Sequence, residues 1–454
     1  MKHKLRWAIY SLLLLPIAAI LALIAINAFD EQLDPNAMAW GAPRPSTAPE
    51  TGNGYHAFLA IGAPDGGDGI AYARARVAEA RAAARENRNE KQAADSRAAR
   101  PRVCEFTEAS CLTAVRERRA ELGAALQAYK EDLARYSTLI AATHYEEVFD
   151  YTLRGYFETP HSFEEGQSQS AWLTRAAMAI EAGHIEEALA ALEGDFAFNR
   201  VMLAGTRTLH GKMIAIRRYR YDLVFVADLL HQKSAILEPH MPRLRAMLKP
   251  IEGAALKFDA PMETEFAIHK HEYMTLKANR AAAASVSLDY GNTALSDYIC
   301  LLLYSRKETV NRAYGRFVRT VAVLNQPANR VVAADRDLRE SETWSAWDSL
   351  RNPIGKMLVY SRVSVGYSEY AMSIHDLDGF NRLVTLRMEA LAARVGVDQA
   401  AEFAAKSAVR LHDPYGEKPM AWNAAKKRFQ FKPQAEYTGR SGLNIDAEGM
   451  YVMF

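Results

Sequence analysis

Three cysteines in 454 residues, almost no excess charge and no recognisable catalytic signature are the first things this sequence reports. Lys and Arg total 56 against 54 Asp and Glu, a net charge of +2. A dedicated nucleic-acid binder concentrates basic charge on one surface, so nucleic acid is not an expected partner. No Gly-x-Ser-x-Gly elbow is present for acyl chemistry, and His412 beside Asp413 has no identifiable serine or cysteine nucleophile. The glycine cluster Gly62-Ala-Pro-Asp-Gly-Gly-Asp-Gly69 lacks the Gly-Lys-Ser/Thr ending of a phosphate loop. The sequence therefore assigns no catalytic residue and no cofactor.

What is present begins with a charge-free apolar run, Trp7 to Phe29, directly after Lys2, Lys4 and Arg6. Twenty-three residues at about 1.5 Å rise make roughly 34 Å of helix, enough for a hydrocarbon core of about 30 Å. Basic residues ahead of the run and Asp30, Glu31 and Asp34 behind it predict an uncleaved transmembrane anchor. The body is then expected on the periplasmic side of a bacterial inner membrane. Outside the cytoplasm Cys104 and Cys111, seven residues apart, are expected to form a local disulfide. Cys300, in an apolar stretch, reads as a small buried hydrophobe.

At 49% hydrophobic residues the chain can bury a substantial core, and its periodicity is helical. The expected fold is mainly α: residues 1–29 as tip and anchor, 30–54 as a proline-rich stalk, 55–411 as a helical-bundle or helical-hairpin body, and 412–454 as a small β appendage. Ala71 to Arg100 reads as a solvated helix fading into a loop. Leu122, Leu126, Tyr129, Leu133, Tyr136 and Ile140 predict one helix with one apolar stripe. Ser170 to Leu192 and Phe196 to Gln232 follow, with Gly183 at a helix–helix corner and Asp195 as the N-cap of the second. That corner resembles one tetratricopeptide hairpin, but no repeat of about 34 residues continues it. Further helices are expected over about Pro261–Asn279, Ser296–Leu324, Asn352–Val395 and Val397–Leu411, with Pro327 and Asp335 to Glu342 as a surface connection. Arg428 to Phe431 reads as a strand and Met450 to Phe454 as its partner.

Several short motifs occur in order: Asn53-Gly-Tyr-His-Ala-Phe-Leu59, Leu133-Ala-Arg-Tyr136, Gly211-Lys-Met213, Asn352-Pro-Ile-Gly-Lys-Met357, Asp376-Leu-Asp378 and Asp413-Pro-Tyr-Gly416. With the anchor and the cysteine pair, these resemble a group of uncharacterised, membrane-anchored proteobacterial proteins with helical extracytoplasmic bodies. The resemblance implies location and fold and supplies no catalytic residue; Ala281 to Asp297 looks like a local elaboration.

Glu265, His269 and Glu272 are the best candidate metal constellation, since spacings of four and three put them on one helical face while His271 faces elsewhere. No second helix offers a matching motif, and a solvated or core-edge face is the expected role. His375-Asp-Leu-Asp-Gly379 hints at a calcium loop but lacks its third oxygen ligand and closing glutamate, so a helix start or polar corner is expected. Arg217, Arg218 and Arg220 could attract an anion, although Asp222 and the helical setting predict ordinary ion pairs. The chain is thus expected to be an anchored envelope protein whose helical surface binds another protein. The alternative is an extracytoplasmic hydrolase, with or without a metal. A broad apolar groove would favour the first, and a tight pocket of convergent acids and histidines the second.

Overall fold

A computed structural model describes residues 2–40, 42, 49–85, 100–106, 110–148, 162–276, 302–341, 350–363, 367–435, 444–446 and 448–454. Cys300, the Ala281–Asp297 elaboration, Pro43, Pro45 and residues 86–99 of the Ala/Arg-rich stretch lie outside them.

The chain is mainly helical and ends in a small antiparallel sheet. The helices are α1 (Lys2–Asn27), α2 (Pro35–Trp40), α3 (Gly54–Ala60), α4 (Gly69–Arg85), α5 (Cys111–Ala128), α6 (Lys130–Ile140), α7 (Ser162–Glu181), α8 (Ile185–Gly205), α9 (Leu209–Gln232), α10 (Asp259–Thr275), α11 (Arg306–Leu324), α12 (Ala328–Ser341), α13 (Pro353–Val363) and α14 (Tyr367–Ala392). Short helical pieces lie between these elements, among them Met241–Met247 before α10 and Ala400–Ala405 after α14. Strands β1 (Ala421–Asn423), β2 (Arg428–Phe431), β3 (Ile445–Asp446) and β4 (Gly449–Met453) follow in the spatial order β1-β2-β4-β3. The expected pairing of Arg428–Phe431 with the last residues is present, with Phe429 opposite Val452.

The chain falls into two compact units. One comprises Met1–Pro43, Glu263–Val323 and Ala334–Tyr367; the other comprises Arg44–Met262, Leu324–Ala333 and Ser368–Phe454. In the first unit, the apolar run does form a helix, but the expected transmembrane span is not supported. Among the described residues no helix is long and apolar enough to cross a membrane. The end of α1 is pinned: buried Asn27 donates to Leu350 O (2.8 Å) and accepts from Asn352 N (2.6 Å).

The proline-rich stretch is not an extended stalk where it is described. Asp30 accepts from Lys307 N (2.9 Å) and Glu308 N (3.0 Å), satisfying the open first turn of α11. Trp40 at the end of α2 stacks on Phe266 with centroids 5.1 Å apart and meets Tyr314 at 5.7 Å. Aromatic burial outweighs the extended preference of the prolines here.

Four further expectations change, three of them in the second unit. The apolar stripe is correct, but two helices carry it, because Tyr129 leaves helical geometry (φ −100°, ψ 9°) between α5 and α6. Asp195 lies inside α8; the break comes at Thr206–Thr208, where the Thr208 hydroxyl accepts from Gly211 N (2.9 Å) and caps α9. Asp335 to Ser341 belongs to α12 rather than a connection, supported by the Asp335–Arg339 pair at 2.8 Å. Val397 to Leu411 is three short helical pieces, not one helix. Gly183 does form the corner between α7 and α8, at φ +86°, a conformation that favours glycine. Cys104 and Cys111 lie at disulfide distance, with sulfurs 2.15 Å apart.

Candidate functional site

Glu265, His269 and Glu272 share α10, yet the face they occupy is the rim of an aromatic core. The His269 ring stacks on Tyr273 (5.8 Å, 17°) and meets Phe317 at 5.7 Å, while its Nδ1 is 3.6 Å from Glu272. Burial raises the Glu265 carboxyl, against the pull of His269. Among the described residues no group of three or more His, Cys, Asp or Glu could hold a metal.

His375 to Gly379 is neither a loop nor a helix start: it is the buried middle of α14. The His375 Nε2 pairs with Gln326 O (3.2 Å), and burial lowers its pKa to about 4. Asp376 accepts from the Tyr415 hydroxyl (2.6 Å), Gln434 N (2.9 Å) and Ala435 N (3.0 Å), tying the chain after α14 back onto it. His412 uses both ring nitrogens on carbonyls, Glu417 O and Ser407 O, each at 3.1 Å.

The other motif residues are fasteners of the same kind. Asn53 caps α3 through Tyr55 N (3.0 Å) and grips both the N–H and the carbonyl of Glu146. Arg135 donates to Ala63 O (2.6 Å) and Pro64 O (2.7 Å), bracing the glycine-rich turn. Lys212 donates to Leu203 O (2.6 Å) and Ala255 O (2.7 Å), and burial lowers its pKa to about 7. Asn352 caps α13 through Gly355 N (3.1 Å) and holds Ser305 through N–H (2.9 Å) and carbonyl (3.2 Å).

The densest cluster is a closed polar core in the second unit. Arg218 donates to Tyr136 Oη (2.6 Å) and Asn199 Oδ1 (2.9 Å) and lies 3.5 Å from Asp195. Tyr136 donates to Asp195 (2.8 Å); Asn199 donates to Asp222 (2.7 Å); Gln169 bridges both carboxyls at 3.2 and 3.1 Å. Burial, with the like charge of Asp195 beside it, holds the Asp222 carboxyl well above its ordinary range. Arg218 therefore does enter an ion pair, with Asp195, and its charge also acts on Asp222. These groups are buried, so they can position helices but cannot meet a solute from solvent.

An open cleft of about 540 Å³ lies among α5, α6, α7 and the start of α8. Leu126, Leu133, Met178 and Ala179 supply apolar lining, and Lys130, Arg175, His184 and Glu187 supply charge or polarity. The cleft holds one imidazole and one carboxylate, and the Ser137 hydroxyl at its edge donates to Ala134 O (2.6 Å). Half-buried Arg175 lies with its guanidinium carbon 3.9 Å from the centre of the Trp172 ring. Burial lowers its pKa, opposed by the field of Glu187. Among the described residues its guanidinium has no hydrogen-bond or ion-pair partner.

Sequence reasoning missed Arg175. The available signal was Trp172 three residues before an arginine, followed by Met178, Ala179 and Ala182 on one helical face. Compared with known protein families, curated proteins and solved structures, the chain matches none.

Proposed function

We propose that the protein is a membrane-held, helical binding component of a bacterial envelope that acts through another envelope protein. The observation that carries this reading is the chemistry of the cleft: open, apolar-lined and basic-rimmed, with a single imidazole, a single carboxylate and a hydroxyl turned back to the backbone. That is the character of a docking surface, whereas hydrolysis needs a convergent nucleophile and base or a metal. The charged motif residues support it too, because Arg218, Asp376, Lys212 and His412 are all engaged in holding backbone or helices together.

Membrane attachment rests on the first helix. Leu14, Leu15, Ile17, Ile20 and Leu21 are exposed on α1, in continuity with the apolar run that starts at Trp7 and follows Lys2, Lys4 and Arg6. Exposed apolar helix of this kind is satisfied by lipid, and the preceding basic residues favour a periplasmic body. The resemblance to anchored proteobacterial proteins and the cysteine pair agree with that address.

Protease added to intact spheroplasts is expected to digest the body and leave a short anchored fragment. Crosslinking before detergent extraction is expected to co-isolate one envelope protein in stoichiometric amount, and Ala134→Trp, which fills the cleft, to abolish it. Protection of the body until lysis overturns the orientation. Turnover of an envelope polymer by the purified chain would overturn the non-catalytic reading.

A further inference from the structure

The two long walls of the cleft carry the same pattern. From α6 come Lys130, Leu133, Ala134 and Ser137; from α7 come Arg175, Met178 and Ala179, and Ala182 just past its end stays on the same face, its N–H donating to Met178 O (3.0 Å). Both follow i, i+3, i+4, i+7, so each wall is a single helical face two turns long, about 10 Å. Resting on the binding reading above, we infer that the cleft docks a two-turn amphipathic helix of the partner protein, its apolar side chains on Leu126, Leu133 and Met178 and its carboxylate on Arg175.

Shape argues for a helix. Ala134, Ser137, Ala179 and Ala182, with Gly123 behind them, are small, which lets a third backbone approach at the 8–10 Å usual between packed helices. Anchors at i, i+3/i+4 and i+7 on an incoming helix match walls of that spacing. Charge argues for an acidic one. Lys130, Arg175 and His184 face the cleft against Glu187 alone. Trp172 holds the Arg175 guanidinium by stacking, so its planar fork is set for a carboxylate with little further ordering. Half burial makes that pair stronger than a fully solvated one.

The test uses the full chain in lipid nanodiscs, with empty nanodiscs as blank, and fluorescent twelve-residue helical peptides. One peptide carries leucines at i, i+3 and i+7 with two flanking glutamates; its counterpart carries lysines instead. Decanoate is the small-amphiphile arm. The acidic peptide is expected to bind saturably and at least about tenfold tighter than the lysine peptide, as a charge-assisted pair supplies. Arg175→Gln should bring the two within about threefold, and Ala134→Trp should remove both, with melting temperatures unchanged. Absence of saturable binding by the acidic peptide overturns the proposal. So does a charge preference that survives Arg175→Gln, or decanoate binding where the peptide does not bind. An envelope partner that still co-isolates with Ala134→Trp rejects this site while keeping the binding reading; absence of any partner rejects the binding reading itself.

Discussion

Arg218 and Arg175 belong to the same unit and are used in opposite ways. Arg218 is buried and engaged by a tyrosine, an amide and a carboxylate. Arg175 is half-buried, stacked on an indole, and lines a cleft. Both are arginines on apolar-rich helices, and composition does not separate them. The difference lies in what surrounds the guanidinium: a closed set of acceptors makes a structural element, while an aromatic shelf beside open space makes a recognition element.

The largest way to break this contrast is Arg218→Met. Asp195 would stay buried without its cation, and removing one member of such a pair costs about 3–5 kcal/mol. Urea denaturation should show that loss, with a reduced midpoint and an unchanged slope. A loss below about 1 kcal/mol would mean that the polar core does not hold the unit.

Glu147 sharpens the comparison through pH. It is buried, accepts from Arg207 N (2.7 Å) and the Thr208 hydroxyl (3.1 Å), and burial raises its carboxyl to about 7. The native state keeps this proton up to about pH 7, whereas the unfolded chain releases it near 4.5. Between those values the native state binds more protons, so stability falls as pH rises, by about 3 kcal/mol in all, and levels off above 7. Glu147→Gln should flatten that slope. An unchanged slope in the variant would assign it to another group.

A smaller loss is expected at the neutral hub of the other unit. Asn352→Ala removes the cap of α13 and strands the backbone groups of Ser305, and it places alanine at φ +48°. Unsatisfied buried groups cost about 1–3 kcal/mol. Thermal unfolding of the variant beside Arg218→Met tests whether a charged hub outranks an amide hub. Reduction of Cys104–Cys111 comes next. A loop this short should contribute about 2 kcal/mol or less, and alkylation of unreduced protein followed by mass spectrometry should find neither cysteine alkylated.

The helical class, the Gly183 corner, the β2–β4 pairing and the cysteine pair were legible because each depends on local spacing. The roles of Asp195, Asp376 and Asn352 were not, because their partners are distant in sequence: Tyr136, Tyr415 and Ser305 lie 59, 39 and 47 residues away. An aspartate ahead of an apolar run looks like a cap whether or not a buried arginine awaits it. The proline-rich stretch misled for the same reason. Its composition favours extension, and only the aromatic pocket of Phe266 and Tyr314 explains why Trp40 is packed. The cleft is harder still to read, since it is a space between four helices and no single segment encodes it.

The smallest effect completes the contrast. Arg175→Gln should change stability by no more than about 0.5 kcal/mol, the range of substitutions away from buried networks. The guanidinium has no hydrogen-bond partner among the described residues, so no acceptor is orphaned when it leaves. Its contact with Trp172 contributes about 0.5–1 kcal/mol at a partly exposed site. Relief of desolvation offsets part of that, since burial already disfavours its charge. Urea midpoints of wild type and variant should coincide within error at low and at high salt. A loss of several kcal/mol, comparable with Arg218→Met, would place Arg175 among the structural fasteners. It would then no longer count as a recognition residue of the cleft.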